Sequence, residues 1–255
     1  LKVDLAKQDF LVSTKHALLA YLNSAEKENT EPNASFSTFS LIALHTLAML
    51  DPDAVDSGTR TRLQRQVENF SLSANPAVLA MALDLFETVK MLDLSVLDTK
   101  IADLQERVET QLYPSISEAS SSGIPLEPMQ TFLTLRIGYL LSVDYADASN
   151  ILMRCEPYRI IGGWNNFWIP HGDPASTAEA LFIAKEIGVE IYNPDKIAIF
   201  LEQFIAPATA AKNLRNLRFA LQGLAFLNRL PDPAKLQEIQ SAVTAALLQS
   251  PKKQA

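Results

Sequence analysis

The sequence predicts an all-α protein of helical-hairpin repeats in two layers, and three observations carry that reading. Leu and Ala dominate, β-branched runs are scarce, and eight glycines in 255 residues is about half the usual frequency. Apolar residues recur at the helical period in one segment after another. The segments also come in pairs: a helix apolar almost all round, a short turn carrying Asp or Pro, then a helix apolar along one stripe only.

A first amphipathic helix is expected over 5–23, with Leu5, Phe10, Leu11, Leu18, Leu19 and Leu22 on its apolar face, followed by a charged loop over 24–32. Five hairpins then fill 36–249: 36–50 with 54–70, 77–92 with 97–112, 129–143 with 145–154, 176–188 with 195–205, and 213–230 with 234–248. Their turns recur at a loose spacing of roughly 40 to 50 residues, a degenerate repeat. Asp51-Pro52, Asn75-Pro76, Asn193-Pro194 and Asp232-Pro233 each offer a side-chain acceptor at the N-cap and a proline at the first helical position, where its missing N–H costs nothing. Ser176 with Glu179 reads as a capping box. The stretch 113–128, with five serines and Gly123, reads as a flexible surface loop, and the tail 250–255 as disordered. Because the hairpin pattern runs on both sides of that loop, 1–255 is expected to be a single domain.

The layers follow from the patterning. Second helices such as 97–112, with Leu97, Ile101, Leu104, Val108 and Leu112 on one stripe, suit an outer layer with one side wet. First helices, such as the one containing Leu41-Ile42-Ala43-Leu44, suit an inner layer buried on most sides. Concentric layers of paired helices and an open superhelix both satisfy this pattern.

A net charge of −7 and a pI near 5.0 argue against nucleic acid or an anionic membrane as the main partner, since both need a basic surface. No uncharged apolar run is long enough to span a bilayer. A lone cysteine, Cys155, excludes an internal disulfide, and with three histidines it leaves little to hold zinc. The chain begins at Leu1 rather than Met, so an upstream segment is expected. Asn33-Ala34-Ser35 and Asn69-Phe70-Ser71 are glycosylation sequons for a secretory protein, and the compartment stays open.

The candidate binding residues cluster ahead of the helix at 176–188. Tyr158, Trp164, Phe167, Trp168 and His171 form the densest aromatic group in the chain. They suit either a recognition surface, where an apolar body meets a polar edge, or a loop whose rings supply local core. His171, between Trp168 and Asp173, is placed for acid–base work or for packing on indole. His45 reads as a hydrogen-bonded core residue and Cys155 as a small buried hydrophobe. Asp84, Glu87, Arg136, Arg218 and Gln222 interrupt apolar inner helices, so they must pair across neighbouring hairpins or line a cavity.

Gly162-Gly163-Trp164, then Asp173, Ser176-Thr177 and Ile187-Gly188, resembles the repeats of protein prenyltransferase β-subunits and terpene cyclases. The resemblance implies an α/α toroid, in which helix pairs form two concentric barrels. The catalytic residues do not follow. Where prenyltransferases pair Asp-x-Cys for zinc, this chain reads Asp173-Pro174-Ala175, so no metal is expected. The cyclases' Asp-x-Asp-Asp acid finds only Asp51-Pro52-Asp53-Ala54, which lacks the last Asp and reads as a helix cap. The expectation is a non-catalytic scaffold domain, without cofactor, that binds a partner protein through Tyr158, Trp164, Phe167, Trp168, His171 and Arg136. The alternative is a cyclase- or transferase-like enzyme or carrier holding an apolar isoprenoid-type ligand in the barrel centre.

Overall fold

The structure, a computed structural model, describes residues 5–28, 35–121, 126–145, 147–155, 159–160, 163–164, 172–210 and 212–249. Among these the chain is all-α apart from two short strands. Its helices are α1 (Leu5–Glu28), α2 (Thr38–Leu50), α3 (Ser57–Glu68), α4 (Pro76–Met91), α5 (Val96–Arg107), α6 (Tyr113–Ser121), α7 (Pro128–Leu140), α8 (Ala148–Cys155), α9 (Pro174–Glu186), α10 (Pro194–Glu202), α11 (Pro207–Ala210), α12 (Leu214–Phe226) and α13 (Pro233–Gln249). β1 (Arg159–Ile160) pairs antiparallel with β2 (Gly163–Trp164), Arg159 opposite Trp164. No described helix is long and apolar enough to cross a membrane.

The chain forms two compact units. Unit 1 is Leu1–Leu112 with Ile137–Val143; unit 2 is Tyr113–Arg136 with Asp144–Ala255. In unit 1, α2 packs on α4 and on α1, while α3 packs on α5. First helices thus meet first helices, and second helices meet second. α2 and α4 are buried around most of their girth, whereas α3 buries only Thr59, Leu63, Gln66 and Val67. In unit 2, α9 packs extensively on α12, and α10 packs against α12 and β2. α9 is deeply enclosed, with Pro174 to Leu181, Ile183 and Ala184 all buried.

One device ends helices α4, α7, α9 and α12. Each is followed by a residue in the left-handed region, at Asp93 (φ 52°), Ser142 (φ 62°), Gly188 (φ 68°) and Asn228 (φ 56°). The next amide then reaches back to a helix carbonyl at 2.8–3.1 Å: Leu94 to Val89, Val143 to Gly138, Val189 to Ala184, and Arg229 to Leu224. This closure satisfies carbonyls that a helix end would otherwise leave unbonded.

Several local expectations need correction. The helix expected from 54 starts at Ser57, capped by Asp56, whose carboxylate accepts from Thr59 N at 2.9 Å and Thr59 Oγ1 at 2.8 Å. Asp51 instead accepts from Asp53 N and opens a 3-10 turn at Pro52–Ala54. The stretch 113–128 is not all loop: α5 runs through a π turn at Val108–Leu112 into α6. Packing overrides the serines there, with Ile116 buried and the Tyr113 ring 4.6 Å from that of Tyr145. Asn75 caps α4 through Ala77 N as expected, and Asp232 caps α13 through Lys235 N. Asn193 adopts a left-handed backbone and makes no side-chain cap bond. α1 continues to Glu28, through the first part of the loop expected at 24–32; residues 29–34, which include Asn33 of the first sequon, and 250–255 lie outside the described residues.

Candidate functional site

The stretch that the sequence singles out becomes a junction between β2 and the N-terminus of α9. Asp173 and Pro174 start the helix: Pro174 occupies the first turn and the Asp173 carboxylate takes the N-cap. Asp173 Oδ2 accepts from Ser176 N at 2.9 Å and from Ser176 Oγ at 3.0 Å. The expected Ser176–Glu179 capping box is therefore not formed. Two start signals overlap here, and Asp-Pro wins because proline presets the first helical φ.

Thr177 ties the strand to the helix. Its hydroxyl donates to Asp173 O at 2.8 Å and accepts from Trp164 N at 3.0 Å. Trp164 O in turn accepts from Asp173 N at 2.8 Å. The indole of Trp164 is completely enclosed, and its ring meets Phe132 edge-on with centroids 6.3 Å apart. Gly163 lets the strand lie against α10: a Cβ there would stand 2.4 Å from the Phe200 ring.

Glu179, released from capping, faces Arg136 of α7. Arg136 Nη1 lies 2.6 Å from Oε1 and 2.7 Å from Oε2, with side chains only 8% and 1% exposed. The guanidinium also stacks over the Phe182 ring at 4.7 Å from its centroid. Phe182 passes the contact on to Phe226 of α12, 5.8 Å away and nearly perpendicular. Alignment on the left-handed residues places these polar groups in common positions. Asp84 and Glu179 occupy the ninth place before it, and Glu87, Arg136 and Gln222 the sixth. Asp84, Glu87, Arg136, Glu179 and Gln222 thus recur at two common positions of the hairpin pattern, and Arg136 and Glu179 pair in unit 2.

The six candidate binding residues separate sharply. Trp164 and Arg136 are interior, Trp164 as a core ring and Arg136 paired across hairpins with Glu179. Tyr158, Phe167, Trp168 and His171 lie outside the described residues. His45 and Cys155 are both buried. Asp173, Thr177 and Glu179, which hold the junction together, escaped the sequence reading as a group. The link from Glu179 to Arg136 spans 43 residues, and no local pattern announces it. Among the described residues no group of three or more His, Cys, Asp or Glu side chains is placed to hold a metal ion. Compared with known proteins, the chain matches no family model, no curated protein and no solved structure.

Proposed function

We propose that the chain is a non-catalytic scaffold domain that holds a partner protein, its hairpins being successive members of an α/α toroid. One observation carries the functional half. The polar side chains that a reaction centre would need at this site are spent on the fold itself. Asp173 caps α9, Thr177 clamps β2, and Arg136 and Glu179 neutralise each other in the interior. A carboxylate used this way serves position rather than proton transfer. The toroid half draws support from the packing of first helices on first helices within each unit, and from the shared left-handed end of α4, α7, α9 and α12.

The rival reading, an isoprenoid-type ligand in the barrel centre, is separated by native mass spectrometry of the purified chain. An apolar ligand co-purifying at one per chain overturns the scaffold. For partner contact, Trp164→Ala is a poor probe because that ring is core. Trp168→Ala, with the melting temperature kept, should remove a partner captured from the native source. Retention of that partner by Trp168→Ala removes the Trp168 segment from the contact.

A further inference from the structure

Unit 1 brings the C-terminal ends of α2, α4 and α7 together. One guanidinium fixes the first two: Arg60 donates through Nη2 to Pro52 O at 2.6 Å, through Nη1 to Leu92 O at 3.2 Å, and through Nε to Val55 O at 2.9 Å. The third joins through Lys90 Nζ, 3.4 Å from Leu140 O, and Gln105 Nε2, 2.7 Å from Leu141 O. At this end stand Met49, 62% exposed, Leu50, 37%, and Met91, 40%. They extend from helices whose other apolar side chains are largely buried.

The same end carries three carboxylates as well as helix C-termini. Helix C-termini carry partial negative charge, and three of them converge here. Asp51, Asp53 and Asp93 stand on the connecting turns. Three cations stand at the same end: Lys15 pairs with Asp51, while Arg60 and Lys90 bond helix-end carbonyls and offset their partial charge. Asp53 and Asp93 remain exposed, with no ion pair to another described residue. Methionine suits an apolar surface that must adapt, because its thioether chain is unbranched and polarizable.

We propose that this rim docks a basic, apolar-anchored segment of a partner protein, with apolar side chains on Met49, Leu50 and Met91 and Lys or Arg groups against Asp53 and Asp93. The proposal rests on the scaffold reading and gives it a surface and a partner chemistry. An anionic lipid surface would meet the wrong charge here.

The methionines themselves supply the test. The whole chain, labelled with ¹³C-methyl methionine, is titrated with a synthetic amphipathic peptide of Leu and Lys. Separate arms use its Leu and Glu counterpart and phosphatidylserine vesicles. Met49 and Met91 methyl signals should shift with the Lys peptide, while Met153, 56% exposed on α8, should not. Met49→Ser with Met91→Ser should weaken binding roughly tenfold or more, the effect of losing central anchors. Met153→Ser should leave it unchanged. Asp53→Asn with Asp93→Asn, which spares the apolar groups, should weaken it and flatten its salt dependence. Equal shifts at Met153, equal affinity for the Glu peptide, capture by vesicles in place of peptide, or no binding at all each overturn the proposal. Failure here leaves a partner bound elsewhere possible under the scaffold reading. A co-purified apolar ligand removes that reading without moving these methyl signals.

Discussion

The Arg136–Glu179 and Arg229–Asp195 pairs of unit 2 have the same chemistry in opposite surroundings. Arg136–Glu179 is interior, its side chains 8% and 1% exposed; Arg229–Asp195 joins the turn after α12 to the start of α10 at 48% and 73%. In water the second pair trades hydration for little gain, and salt screens it. In the interior neither ion has water to return to, so losing one removes a close counter-charge that water cannot replace. The contrast teaches that an ion pair matters here through what its absence would leave buried, not through the strength of the bond.

The sharpest way to break the comparison is Arg136→Ala, which leaves Glu179 charged and enclosed. The expected loss is about 3–5 kcal/mol of unfolding free energy, measured by urea denaturation. The double variant Arg136→Met with Glu179→Leu should recover most of it, because an apolar pair of similar volume does not need its partner to stay neutral. If the double variant is as unstable as the single one, the pair specifies the packing of α7 on α9 and is not merely self-compensating.

The other side of α9 offers an apolar counterpart. A Cβ on Gly223 of α12 would stand 2.6 Å from Leu201 Cδ1 and 3.3 Å from Leu181 Cδ1. Gly223→Ala should therefore cost about 1–3 kcal/mol by overpacking, less than the stranded charge. The same assay ranks the two.

A milder form of the contrast appears at the helix caps. Asp173 is buried, whereas Asp56 is exposed and held below the usual carboxylate range, chiefly by the Thr59 backbone N–H. Its folded pKa is lowered, so its contribution is present above the unfolded value and lost as pH falls through the folded one. Asp56→Ala should cost about 1 kcal/mol at neutral pH. Thermal melts down an acid series should show that difference shrinking below about pH 4. Smallest of all, Asp195→Ala should change stability by no more than about 1 kcal/mol and vanish in high salt. A larger effect would mean that the exposed pair anchors the turn after α12.

The pairing of helices was legible in the sequence because it is local: the apolar period, Asn75-Pro76 and Asp232-Pro233 all act within one turn. What escaped it was competition and distance. Asp51 and Asp56 both offer a cap, and the helix starts at the second because Asp51 is already engaged with the turn at Pro52–Ala54. Ser176–Glu179 fits a capping box, yet Arg136, far away in sequence, claims the glutamate. The repeat is also clearer in the backbone than in the residues. Gly188 marks a left-handed helix end openly, but Asp93, Ser142 and Asn228 adopt the same conformation with nothing at one position to flag it. For the candidate binding group the sequence recognised Trp164 as special but left open whether it faces inward. An aromatic signals burial or recognition equally well until its neighbours are known.

The clamp between β2 and α9 has a consequence for engineering. The atoms that close it are Trp164 N and O, Asp173 N and O, and Thr177 Oγ1, and none belongs to 165–172. Trp164 and Asp173 are thus fixed to each other directly and through Thr177, like a pair of connectors. Doubling the length between such anchors adds only about 0.6 kcal/mol of closure cost. Lengthening the chain between Trp164 and Asp173 should therefore leave α9 capped and the melting temperature little changed.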